Sequence, residues 1–187
     1  LHGEGSRIYD KKGNEVWITG ANWFGFNSIQ NCLHYLWKGD VDAILSEIAD
    51  RGFNVIRFPI SSELIASWME GNPLPVSSVA ANGDPSYKIN PDFTLKDKIT
   101  LKNSMEIFDV IIGKLKKYGL KGFIDIHSPH VSNSGHNWPL WYGRAGITTE
   151  IWMKSLVWLA EKYKDDDSLI AYDLKNEPHG KGAEGVK

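Results

Sequence analysis

The chain has 187 residues, 42% hydrophobic and 24% charged, with a formal net charge of −2. That is enough for one sizeable core, it is not the composition of a disordered chain, and it offers no basic stripe for nucleic acid. No apolar run reaches membrane-spanning length, the N-terminus lacks a signal-peptide pattern, and the single cysteine, Cys32, excludes an intrachain disulfide.

Eight Trp, seven Tyr and seven Phe make aromatics 12% of the chain. Flat aromatic faces stack on the C–H faces of sugar rings, but they also fill cores and core rims.

In chain order, residues 7–10 and 15–18 flank Lys11-Lys12-Gly13-Asn14 and predict a hairpin whose second strand runs on toward residues 21–24. Asp40 suits a helix N-cap. Val41, Ile44, Leu45, Ile48 and Ala49 then keep helical spacing up to Gly52. Residues 53–58 read as a buried strand stopped by Pro59. The polar stretch 61–98 is too long for a passive connection, and residues 61–69 suit a short helix inside it. Leu101, Met105, Phe108, Ile112 and Leu115 predict a second amphipathic helix, ended by Gly119. Residues 120–127 predict a second buried strand, followed by a polar loop over 128–146. Thr148 caps a third helix with Trp152, Leu156, Leu159, Ala160 and Tyr163 along one face. Asp165-Asp166-Asp167 reads as a solvated turn, and residues 169–175 as the last strand.

Strands alternating with helices imply a parallel sheet with right-handed crossovers. An open doubly wound sheet and a (β/α)8 barrel cut at four strands both fit. The first strand lacks a Gly-rich phosphate loop, which disfavours the nucleotide-binding form of the open sheet.

Four polar groups fall at predicted strand ends: Arg57, His127, Asn176 and Glu177. An unpaired charge is expensive to bury, so four such positions suggest one shared polar pocket. Each has a bland alternative. Arg57 could partner a structural carboxylate and His127 could be a satisfied core histidine. Asn176 could cap the turn before Pro178, and Glu177 could open a helix. His127, His130, His136 and His179 could be read as metal ligands, but no His-Glu-x-x-His spacing supports a metal site. No Gly-x-Ser-x-Gly elbow supports a serine hydrolase, and nothing local pairs Cys32 with a histidine.

Assembled, these residues resemble glycoside hydrolase family 5, and within it bacterial endo-β-1,4-glucanases. The resemblance is carried by Gly20-Ala21-Asn22-Trp23-Phe24-Gly25-Phe26, Asn54-Val55-Ile56-Arg57-Phe58-Pro59, Asp125-Ile126-His127, Leu140-Trp141-Tyr142 and Tyr172-Asp173-Leu174-Lys175-Asn176-Glu177-Pro178, in order over nearly the whole chain. It implies an α/β fold: a hairpin and entry strand over residues 1–19, then the N-terminal half, strands one to four, of a (β/α)8 TIM barrel over residues 20–187. It implies a retaining mechanism with Glu177 as general acid/base. Asn176 would bond the sugar 2-hydroxyl, Arg57 would hold the nucleophilic carboxylate ionised, and His127 would contact the same sugar. Asn22, Trp23, His130, Trp141 and Tyr142 are the implied substrate-binding residues. No cofactor and no metal are implied.

The family's second carboxylate lies at the seventh strand, and no residue here matches it. Glu184 sits in a Gly-rich tail with no strand leading into it. The partners expected are therefore a β-glucan polysaccharide and a complementary C-terminal half of the barrel carrying the nucleophilic Glu, with no nucleic acid and no membrane. A secreted location follows from an insoluble substrate. A β-mannanase, a mixed-linkage glucanase or a non-catalytic glycan-binding fragment would share the same residues.

Overall fold

The computed structural model describes residues 1–77, 79, 90–132 and 138–179. His136 and Glu184 lie outside the described residues.

The chain opens with a small antiparallel pair, His2–Glu4 (β1) and Arg7–Tyr9 (β2). The hairpin expected over residues 7–18 forms only as far as residue 16, where the Val16 N–H donates to the Ile8 carbonyl at 2.8 Å, and an additional strand precedes it. Asp10 closes the turn at 11–14, its Oδ1 accepting from the backbone N–H groups of Lys12 and Asn14 at 2.8 Å each. Beyond that turn only Tyr9 and Glu15 bridge as strand partners. Residues 17–19 are instead tied by Asn54, whose side chain accepts from the Thr19 N–H at 2.9 Å and donates to the Trp17 carbonyl at 2.7 Å. That tether delivers Gly20–Asn22 (β3) to a different sheet, not to the hairpin.

The main sheet has four strands in the order β3-β4-β5-β6, all parallel, with β4 Val55–Ser61, β5 Lys121–Ser128 and β6 Leu169–Asp173. Helices Val41–Asp50 (α1), Ser104–Leu115 (α3) and Thr149–Tyr163 (α4) form the crossovers, and Ser62–Met69 (α2) is inserted after β4. Short polar side chains set the helix starts. Asp40, Ser61 and Thr148 each accept a backbone N–H of the first turn, and Asn103 forms a reciprocal capping box with Glu106. This box starts α3 at Ser104, so Leu101 lies before the helix and pairs with Thr94 instead. Gly119, at φ 66°, supplies the left-handed residue that ends the following 3-10 turn.

Strand β4 does not stop at Pro59. In a parallel strand alternate residues bond to the same neighbour, and Arg57 and Ser61 both face the β3 side: Trp23 N–H donates to Arg57 O, and Ser61 N–H to Phe26 O. Pro59 lies between them, at an irregularity: Asn22 pairs with Arg57 and Phe26 with Ile60, four steps on one side against three on the other. Its missing N–H therefore costs no ladder bond.

The two faces of the sheet differ in chemistry. Ile56, Phe58, Ile60, Ile124 and Ile126 point to the helical layer and are buried. There they meet an aromatic cluster centred on Phe108, with ring centroids of Phe26, Trp68, Tyr163 and Phe58 5.0, 5.4, 5.8 and 6.1 Å away. On α4, Ser155, Leu159 and Tyr163 are buried whereas Ala160 is exposed, so its inward face is narrower than the periodicity suggested. The intervening strand residues, Arg57, Phe123, Asp125, His127 and Asp173, share the opposite face, as the register Arg57–Phe123 and Asp125–Asp173 and the period of two require. Four parallel strands with helices on one face and polar residues on the other form part of a (β/α) barrel.

Candidate active site

The polar face converges on Arg57 of β4, with groups from β5, β6 and the turn after β6. Arg57 Nη2 donates to Asn176 Oδ1 at 2.8 Å and to Asp173 Oδ2 at 3.0 Å. The same nitrogen lies 3.0 Å from Asp125 Oδ1, an ion pair that lacks hydrogen-bond alignment. Beneath the guanidinium, the Phe123 ring centroid is 5.9 Å away. Asp125 is fully buried, and its second oxygen accepts from His127 Nδ1 at 2.7 Å. Burial pushes the Asp125 carboxyl above its ordinary range, although the His127 hydrogen bond and the Arg57 charge oppose that rise. His127 is thereby fixed through Nδ1, which leaves Nε2 as its remaining ring nitrogen for a ligand.

After β6 the chain turns sharply. The Asn176 N–H donates to the Ile126 carbonyl at 2.9 Å, which docks the turn on β5. Asn176 is buried and Glu177 exposed, with Glu177 in the left-handed region at φ 40°. A non-glycine residue there is unusual and marks a conformation held by its surroundings. One of those holds is His179. Its N–H donates to the Pro139 carbonyl at 3.2 Å, and its Nδ1 bonds the Glu177 carbonyl at 2.5 Å. Lys175, 8% exposed, folds its ammonium inward to donate to the His127 carbonyl at 3.1 Å and to the Asn176 carbonyl. Burial pushes it down to about 8, against the opposing charges of Asp125, Asp173 and Glu177.

The structure thus brings Arg57, His127, Asn176 and Glu177 to one end of the sheet. Asn22 is in register with Arg57 at the end of β3 and is exposed. Trp23 is 8% exposed and packs in the core, its indole N–H donating to the His34 carbonyl at 2.9 Å. Trp141 and Tyr142 are half-buried with ring centroids 5.5 Å apart, and the Trp141 indole N–H donates to Thr149 Oγ1 at 3.0 Å. His130 sits edge-on to Trp138 at 6.4 Å. Burial pushes it down, with Glu63 opposing and Arg144 adding to the effect. Among the described residues no three His, Cys, Asp or Glu side chains cluster as metal ligands, and no helix is long and apolar enough to cross a membrane.

Asp125, Asp173 and Lys175 were not singled out from the sequence as site residues. The signal was present for Asp125 and Asp173, since each is a charge inside an otherwise apolar strand, as Arg57 is.

The profile of the cellulase family, glycosyl hydrolase family 5, matches residues 9–187. The chain belongs to glycosyl hydrolase family 5. It is similar to Endoglucanase G of Acetivibrio thermocellus, 58% identical over 187 residues that cover 97% of this chain and 33% of that protein. It is also similar to the major extracellular endoglucanase of Xanthomonas campestris, 28% identical over 181 residues that cover 96% of this chain and 33% of the relative.

Among solved structures, the catalytic domain of the Xanthomonas campestris enzyme superposes with a TM-score of 0.76 at 27% identity, covering 94% of this chain and 44% of that one. The Pyrococcus horikoshii endocellulase in complex with cellotetraose gives 0.73 at 27% identity, covering 91% and 40%. The chain therefore spans about a third of the length of these curated relatives. The family 5 fold is confirmed, with the four parallel strands seen here forming part of its barrel.

Proposed function

We propose that this chain supplies the acid/base half of a retaining, endo-acting β-1,4-glucanase. The carrying observation is the 2.8 Å bond from Arg57 to Asn176, which sets the residue before Glu177 at the polar end of the sheet. In this reading Glu177 protonates the departing glycosidic oxygen and later deprotonates the attacking water. Asn176 bonds the 2-hydroxyl of the sugar at the cleavage point, and His127 contacts the same sugar. Asn22, His130, Trp141 and Tyr142 belong to the cleft, whereas Trp23 is left to the core, 8% exposed and with its indole N–H held by the His34 carbonyl.

A retaining enzyme needs a second carboxylate about 5–5.5 Å from the first. It comes from the complementary C-terminal half of the barrel, and Arg57 stands ready to keep it ionised. The relatives named as endoglucanases and endocellulases support a β-1,4-glucan substrate, and the relative named as extracellular supports a secreted location.

The test is reducing-sugar release from carboxymethylcellulose by the complete barrel, beside its Glu177→Gln variant. Loss of roughly 10²- to 10⁴-fold in the variant is expected for a general acid/base. A variant as active as its parent would defeat the assignment.

A further inference from the structure

We infer that Lys175 is a positioning residue for Glu177: its ammonium ties the end of β5 to the turn that carries Glu177 and keeps a positive charge beside that carboxyl. The inference rests on the acid/base reading above.

A lysine two residues past the end of a strand, in a turn, ordinarily extends into water. Lys175 does the opposite. It is 8% exposed, and its Nζ reaches the His127 carbonyl at 3.1 Å and the carbonyl of Asn176, the residue directly before Glu177. Its backbone N–H donates to Asp173 Oδ1 at 3.3 Å. The side chain thus joins β5, through the His127 carbonyl, to the turn, and the backbone N–H ties the same residue to Asp173 of β6. Glu177 stands at φ 40°, a conformation the free chain would leave unless neighbouring groups fixed it.

The ammonium feels the carboxylates of Asp125 from β5, Asp173 from β6 and Glu177 from its own turn, and the same cluster holds Arg57 from β4 and the His127 imidazole from β5. Two of these carboxylates, Asp125 and Asp173, already share Arg57. Lys175 is the second cation of the cluster. Burial working against its charge is the cost of that placement.

Leaving-group dependence separates this role from a general structural one. Breaking the C–O bond of cellotetraose leaves an alkoxide that must take the Glu177 proton. Breaking the bond of 2,4-dinitrophenyl β-cellobioside releases a stable phenolate anion that needs none. In the enzyme with its barrel complete, Lys175→Met is expected to lower kcat/KM for cellotetraose by roughly 10- to 100-fold. The aryl substrate should change by less than about threefold, because its first step does not use the acid. Loss of the neighbouring cation should also move the alkaline limb of the cellotetraose profile upward. Lys175→Arg, which keeps a cation, should show a smaller loss, again confined to cellotetraose, with the limb near its original pH.

Equal losses on both substrates, or no loss on either, overturn the inference. If Lys175→Met does not fold, Lys175→Arg decides by the same comparison. Glu177→Gln serves as the control. If it lacks the leaving-group pattern, the acid assignment and the positioning role fall together. If it shows the pattern and the Lys175 variants do not, the positioning role falls alone.

Discussion

Arg57 and Asn176 are 119 residues apart in sequence, yet the guanidinium of one donates to the side-chain carbonyl of the other at 2.8 Å. The contact joins the middle of β4 to the turn after β6 across the intervening strand β5. It is possible because alternate residues of adjacent parallel strands project from the same face, so a long side chain on β4 passes over β5. Arg57 is the hub of this face, with Asp125, Asp173 and Asn176 all reached by one nitrogen.

Arg57→Lys should therefore behave as a severe change, not a conservative one. A lysine is shorter, and an ammonium on its flexible stem does not reproduce a nitrogen held at the far end of a rigid guanidinium among three acceptors. Asp125, fully buried, would lose much of its compensation. A stability loss of about 1–3 kcal/mol is expected, read from the urea midpoint. With the barrel complete, kcat should fall by about 10²-fold through displacement of the Asn176–Glu177 turn. A variant with unchanged midpoint and turnover would show that Arg57 is not the hub.

Asp125 gives a pH signature. Its folded-state carboxyl lies above the ordinary range, chiefly through burial. A carboxyl raised on folding favours the folded state while protonated, and that contribution is lost as pH rises from the ordinary carboxylate value through the folded one. Asp125→Asn has no such titration. The melting temperature of the parent relative to Asp125→Asn should therefore be highest near pH 3 and decline toward pH 7. A difference that grows with pH would mean that the Arg57 and His127 contacts outweigh burial. Because His127 Nδ1 loses its carboxylate, the same variant should also lower turnover on glucan, by roughly 10-fold.

How much of this was legible in the sequence follows from what each signal depends on. The three longer strands, the four helices and three of the caps are local patterns, and they stand within a few residues of where periodicity puts them. Arg57, His127, Asn176 and Glu177 announce themselves as polar groups at the ends of apolar runs, and the structure gathers them at one end of the sheet. Pro59 misled because its cost depends on how the chain after β3 pairs alongside, which is a tertiary fact. The first strand was missed because His2-Gly3-Glu4 has no strand character of its own and is ordered by pairing with residues 7–9. Lys175 was hidden for a related reason: the last strand was expected to reach residue 175, where a lysine reads as a solvated side chain. The strand ends at Asp173 instead, and the turn directs the ammonium inward.

The core offers a test independent of the site. The Trp68 indole N–H donates to Ser104 Oγ at 2.9 Å, with both residues buried, and the bond ties α2 to the first residue of α3. Ser104→Ala removes the acceptor without adding volume and strands a buried donor, so a loss of about 1–3 kcal/mol is expected. Trp68→Phe removes the donor at its own packing cost. In the Trp68→Phe background, Ser104→Ala should then be nearly neutral, because no indole N–H is left unpaired. The double-mutant cycle, measured by urea unfolding, should give a coupling of about 1 kcal/mol or more. Additive losses would mean that Ser104 stabilises the start of α3 in its own right and that the indole finds another acceptor when the hydroxyl is gone.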